Sequence, residues 1–141
     1  MNAEIILKDK KLQKTKSRIL LLELFLENRN KALSERELED LMEGKTDRAT
    51  IFRNLNTFCQ NKLLHKLKVN NESRYAISLQ HAVTTSFNDI HAHFYCSGCH
   101  AMKCIEGSLR LDNNLPGGYE VEKTDVVHYG TCNTCNSKKL N

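Results

Sequence analysis

Apolar residues recur at helical spacing through the first half of the chain and at strand spacing through the second. From Thr15, the stretch TKSRILLLELFLENR sets Ile19, Leu22 and Leu26 on one stripe, widened by Leu21 and Phe25, and Thr15 supplies an N-cap hydroxyl. LSERELEDLMEG follows. Ser34 with Glu37 three residues on is a capping box, Leu38 and Leu41 are expected to face inward, and Gly44 is expected to end the helix. TDRATIFRNLNTFCQNK predicts a third helix, capped by Thr46 or Asp47, with Ile51, Leu55, Phe58 and Cys59 as its apolar stripe. In LLHKLKVNNESRYAIS, Leu63, His65, Leu67 and Val69 alternate with Leu64, Lys66 and Lys68. The turn chemistry of NNES then leads into a returning strand, RYAIS.

Helices followed by a basic hairpin predict a winged helix-turn-helix over residues 1–78. In that layout the third helix reads the major groove of DNA and the hairpin touches the backbone or minor groove. The residues of the third helix outside its apolar stripe, Arg48, Thr50, Arg53 and Asn54, are then candidate DNA contacts. Residues 79–90, LQHAVTTSFNDI, carry no clear period and read as a hinge. Residues 91–141 read as a β-rich metal-binding dimerisation domain. Its strands are expected in HAHFYC, AMKCIE and the longer YEVEKTDVVHYG, with NNLPGG a loop, LDNNL at most a short helix, and NSKKLN a frayed tail. The expected class is α+β: an N-terminal winged helix-turn-helix followed by a small α/β dimerisation domain with structural zinc.

Composition narrows this picture. With 40% hydrophobic residues, 27% charged residues and one proline, the chain is globular rather than disordered. No apolar run approaches the ~18 residues that would span a membrane, and the start lacks a signal-peptide pattern, so no membrane association is expected and a cytoplasmic setting is. There thiols stay reduced, and paired C-x-x-C spacing means metal or redox chemistry rather than disulfides. Charge is uneven: residues 1–78 carry 16 Lys/Arg against 11 Asp/Glu, and residues 79–141 carry 5 against 6. Five of the six cysteines and five of the six histidines lie in that later part. A basic half that meets a polyanion and a metal-rich half is the layout this suggests.

Cys96-Ser-Gly-Cys99 and Cys132-Asn-Thr-Cys135 are two C-x-x-C pairs. That spacing lets a tight turn aim both sulfurs at one ion, and two such turns supply four thiolates, a closed structural zinc site. An iron–sulfur cluster or a thioredoxin-like redox pair are the alternatives, the latter without its usual βαβ setting. His91, His93, His100 and Cys104 remain near by. On a strand, His91 and His93 share one face. If the Cys96–Cys99 turn closes a hairpin, a symmetric pairing sets Cys104 opposite His93 and Glu106 opposite His91. His81 and Asp89 lie upstream and within reach of a fold-back. A His/His/Cys set with one further ligand suits a second, exchangeable zinc, and its imidazoles must shed protons to bind.

The chain resembles the ferric uptake regulator (Fur) superfamily, which includes iron, zinc and peroxide sensors. The resemblance is carried by TKSRIL at 15–20, LSEREL at 33–38, DRATIFRNL at 47–55, NKLLHK at 61–66, HAHFYCSGC at 91–99, LPGGYEV at 115–121 and CNTC at 132–135. It implies an N-terminal winged helix, a C-terminal α/β dimerisation domain, and a homodimeric, metal-activated repressor. By position it implies that Cys96, Cys99, Cys132 and Cys135 hold the structural zinc and that His91 and His93 belong to the regulatory site. It also implies that Phe52 and Arg53 form the aromatic–arginine pair of the recognition helix and that Arg18 lies near the DNA backbone. Arg53 suits a bidentate bond to guanine and Phe52 a thymine methyl, although Phe52 also suits the protein core.

Departures from the family pattern refine the reading. Lys31 and Ala32 stand where a histidine is common, Ala76 where a glutamate is common, and Ile90 and Ala92 interrupt an H-H-x-H pattern. Cys104 stands where a carboxylate is common, which moves preference toward softer zinc over iron. The regulatory set expected is therefore His91, His93 and Cys104, with His81 from the longer linker, holding Zn2+ or Fe2+. Filled, it would fix the angle between the halves and make metal the co-repressor of metal-homeostasis genes at a palindromic double-stranded operator. The dimer would pair the strand around Tyr119–Tyr129. Two other classes stand beside this: a structural zinc module on RNA or the ribosome, and a zinc hydrolase with Glu106 as base.

Overall fold

The computed structural model describes residues 2–78, 92–105, 114–122 and 124–139. The chain divides into two compact units, residues 1–82 and 83–141. The hinge expected at 79–90 lies outside the described residues.

The first unit runs α1 (Ala3–Asp9), α2 (Lys16–Glu27), β1 (Lys31–Ser34), α3 (Glu35–Met42), α4 (Arg48–Gln60), β2 (Leu64–Val69) and β3 (Glu72–Ile77). The caps follow local chemistry. Thr15 accepts from the Arg18 N–H, Ser34 and Glu37 close a reciprocal capping box, and Asp47 rather than Thr46 caps α4 by accepting from the Thr50 N–H. The core gathers Leu21, Leu22 and Phe25 of α2, Leu38 and Met42 of α3, Ile51, Leu55 and Phe58 of α4, then Leu63, Leu64 and Tyr75. Burial of each such side chain contributes on the order of 1.5–3 kcal/mol.

Two local expectations are corrected here, and one helix is added. Leu41 is 43% exposed while Met42 is buried, because Leu38 and Met42, four residues apart, form the inner stripe and Leu41 falls off it. Helix α1, capped by Asn2, puts Ala3, Ile6 and Leu7 into the core; seven residues are too few to show a period by sequence. The alternation in β2 begins only at Lys66. Leu63 and Leu64 are both buried where the chain leaves α4, with the Leu63 N–H donated to the Phe58 carbonyl at 2.9 Å, and only then do Leu67 and Val69 point in while Lys66 and Lys68 point out.

Strand β2 pairs antiparallel with β3 from Leu64↔Ile77 to Val69↔Glu72. The two residues between them, Asn70 and Asn71, both hold positive φ (49° and 65°), the demand of a type I′ hairpin turn that asparagine tolerates. β1 adds to the other edge of β3, with Leu33↔Tyr75 and Ser34↔Arg74. Arg74 is buried there and donates to the Ala32 carbonyl and to Glu37 Oε2, the oxygen that also accepts the Ser34 N–H. The hairpin sheet is thereby tied to the cap of α3.

In the second unit, β4 (Ala92–Cys96) is central, antiparallel to β5 (Met102–Cys104) and parallel to β6 (Val126–Gly130). The long strand expected over YEVEKTDVVHYG is confined to Val126–Gly130. Upstream, Tyr119 closes a turn onto the Pro116 carbonyl, and residues 119–122 are exposed. Of the tail expected to fray, residues 136–139 belong to helix α5 (Asn133–Lys139), and the last two lie outside the described residues. LDNNL falls largely outside the described residues. Among the described residues, no helix is long and apolar enough to cross a membrane.

Candidate metal centre and nucleic-acid interface

Strand β4 ends on Cys96, and the chain turns back at once. The His100 N–H reaches the Cys96 carbonyl at 2.9 Å with His100 in the left-handed region (φ 60°), and the Cys96 N–H reaches the Ala101 carbonyl at 3.0 Å. Cys99 rides on this turn. The second pair is delivered by β6, which sets Gly130 beside Cys96; the Ser97 N–H and hydroxyl both donate to the Gly130 carbonyl, at 2.8 and 3.0 Å. Cys132 then precedes α5 and Cys135 lies in its first turn, with the Asn136 N–H on the Cys132 carbonyl at 2.8 Å. All four sulfurs lie within 4.8 Å of one another. Tetrahedral zinc with Zn–S of about 2.3 Å needs sulfurs about 3.8 Å apart, and Cys99 Sγ and Cys132 Sγ are 3.9 Å apart. The spread of the four sulfurs fits a single ion among them.

The electrostatics fit a dication as well. The Cys132 N–H, 3.2 Å from Cys96 Sγ, followed by those of Cys99 and Gly98, pulls the Cys96 thiol down to about 6. The Cys135 N–H likewise lowers Cys132. Cys135 is pushed up to about 12, chiefly by its hydrogen bond to Cys132. Hydrogen bonds thus make some thiols here ionise readily and another resist, and a cation among them would let all four ionise together. Gly98 is part of the fit: a Cβ there would stand 3.0 Å from Cys135 Sγ and 3.1 Å from its Cβ. Gly98→Ala is therefore expected to displace Cys135 and weaken zinc retention about 10- to 100-fold, read by competition against a chromogenic chelator.

Of the second set, the structure brings His93 and Cys104 directly opposite each other across β4 and β5, the register expected from the turn. His93 is 2% exposed, and burial pushes the half-buried Cys104 thiol up to about 11. A thiol so placed stays protonated near neutral pH unless a cation lies beside it. His91, His81, Asp89 and Glu106 lie outside the described residues. His100 joins neither set; it is exposed, and its Nδ1 is 2.9 Å from the Tyr95 hydroxyl.

Helix α4 presents a separate surface. Phe52 is 46% exposed rather than in the core, and Arg48 and Arg53 are exposed beside it. Arg53 Nη2 donates to Thr50 Oγ1 at 3.2 Å, Thr50 is bound to Asp47, and Arg48 pairs with Glu39 at 3.1 Å. Asn54 differs. It is buried, its Oδ1 accepts from Arg18 Nε at 3.2 Å, and its Nδ2 donates to Ser17 Oγ at 3.2 Å. Sequence reasoning placed Asn54 on the outer face and missed Ser17 altogether; 37 residues separate the two, and nothing local marks the pairing.

The model of the ferric uptake regulator family matches residues 9–109. The chain belongs to the ferric uptake regulator family. Members of this family are metal-sensing, DNA-binding transcription regulators, not enzymes. Among solved structures, a zinc uptake regulator complexed with zinc and DNA is similar over 99% of this chain and 93% of its own, with 20% identity and a TM-score of 0.69. The ferric uptake regulator of Vibrio cholerae is similar over 92% and 98%, with 21% identity and a TM-score of 0.65. That of Francisella tularensis, with iron, is similar over 89% and 95%, with 22% identity and a TM-score of 0.61. At these identities the likeness is one of fold. No curated protein matches the chain significantly.

Proposed function

We propose that this ferric uptake regulator family protein is a cytoplasmic, metal-dependent repressor of metal-homeostasis genes, with zinc, or iron, as co-repressor. In this reading residues 1–78 are a winged helix-turn-helix, 79–90 the hinge and 91–141 the metal-binding dimerisation domain. Helix α4 enters the major groove with Arg48, Thr50, Phe52 and Arg53, and the hairpin of β2 and β3 follows the backbone with Lys66 and Lys68. Two copies, joined through the second unit where Tyr119 and Tyr129 are exposed, address the halves of a palindrome. The structural zinc sits on Cys96, Cys99, Cys132 and Cys135, and the sensed ion on His91, His93 and Cys104, with His81. The carrying observation is the exposed face of α4, where a half-exposed phenylalanine stands beside Arg53, whose guanidinium makes no salt bridge among the described residues and donates to Thr50 Oγ1. A thiol at Cys104 supports zinc over iron.

The test is a titration of selected operator duplexes with the full chain, apo at the second site and then with zinc or iron added. Affinity that rises with one metal supports the reading. Affinity indifferent to metal, with a single zinc per chain, supports a purely structural zinc module and overturns it. Arg53→Ala should cost about 1–3 kcal/mol at the selected operator and relax preference at one base position.

A further inference from the structure

Arg18, in the first turn of α2, is held by the protein without being neutralised by it. Its Nε donates to Asn54 Oδ1 at 3.2 Å and its Nη1 to the Gln13 carbonyl at 3.3 Å. Both acceptors are uncharged. Two of its five N–H donors are used, so three remain for an outside acceptor. Asn54 is itself fixed: it is 6% exposed on α4, and its Nδ2 donates to Ser17 Oγ at 3.2 Å, which determines which way the amide faces. The first turn of α2 has no acidic residue, and Lys16 accompanies Arg18 there. Cations at a helix start are unfavourable for the helix alone and favourable for a bound anion.

We infer that Asn54 is a positioning residue: anchored by Ser17, it holds the Arg18 guanidinium pre-arranged for a DNA phosphate. The inference rests on the proposed DNA-binding function and adds a buried residue to it. The pre-arrangement matters because an arginine already fixed in place loses less side-chain freedom on binding. Asn54 lies on α4 and Arg18 on α2, so the same bond also sets the phosphate contact relative to the base-reading helix.

The experiment uses the zinc-loaded full chain and a random-sequence B-form duplex, since a phosphate contact is independent of sequence. Affinity is measured over a salt series for wild type, Arg18→Gln, Asn54→Ala and the double variant. Each single change is expected to lower the slope of log K against log salt by about one, and the double change by about one rather than two. A wild-type slope in Asn54→Ala, or slopes that add in the double variant, overturns the inference. Wild-type chain that binds no duplex at all overturns the function instead. Should Asn54→Ala fail to fold, nitrogen relaxation of the Arg18 Nε–H in the free wild-type protein decides. An order parameter near the about 0.85 of rigid backbone, with a shift on DNA addition, supports it; one below about 0.6 overturns it.

Discussion

Cys132→Ser or Cys135→Ser is expected to release the zinc proposed for the four cysteines and to unfold the second unit while the first stays folded. The reason is the difference in their cores. The first unit buries apolar side chains from all four of its helices and from its sheet. Among the described residues of the second, the buried apolar side chains are Ala92, Tyr95, Cys96 and Met102, and one of these, Cys96, belongs to the four-cysteine cluster. Structural zinc in small domains supplies about 10–16 kcal/mol of folding free energy, which matches or exceeds the 5–15 kcal/mol total stability of an ordinary domain. Loss of one thiolate leaves three sulfurs without their common partner, and β4, β6 and α5 then lose the junction that joins them. Hydrogen exchange is the measurement. Amides of β4 and β6 should lose protection while those of α2 and α4 keep it. Cys59→Ser is the control: Cys59 is in α4, outside the cluster, and although it packs against the core of the first unit the variant should retain zinc and the protection of β4 and β6. Protection retained in β4 without zinc would remove the argument that metal holds this unit together.

Much of this was visible in the chain itself, and the reason is locality. A capping box spans four residues and a C-x-x-C knuckle four, so both are written in one place, and Ser34–Glu37 and Cys96–Cys99 form as their spacing dictates. The register His93↔Cys104 follows from the same turn. What escaped depends on partners distant in sequence. β1 is four residues whose partner β3 lies about forty residues on. β6 pairs in parallel with β4, and no hairpin signal marks such a crossover. Helix α5 looked like a polar tail because its sequence NTCNSKK has no apolar stripe; it starts where Cys132 and Cys135 meet the first knuckle. Asn54 is polar, and a polar residue on an amphipathic helix reads as outward until its buried partners are known.

The second large effect is expected at the facing pair on β4 and β5. His93→Ala combined with His91→Ala should reduce the metal bound from two ions per chain to one and abolish the metal-dependent gain in operator affinity. Such couplings are typically 1–3 kcal/mol, or about 5- to 150-fold in affinity. Zinc counting and operator titration read the two halves of this result separately. Because His93 is buried, truncation also leaves a hole, so Cys104→Asp is the more telling change. Cys104 is half-buried and its thiol is raised to about 11 by desolvation, so near neutral pH the sulfur is protonated unless a bound cation draws the proton off. A carboxylate there ionises at a much lower pH and offers hard oxygen instead of soft sulfur. Two consequences follow together: the operator response should shift from zinc toward iron or manganese, and metal should bind at lower pH, since fewer protons must leave with the ligand. A metal preference unchanged by Cys104→Asp would place the sensed ion away from β5, and would leave the buried His93–Cys104 pair as packing within the sheet.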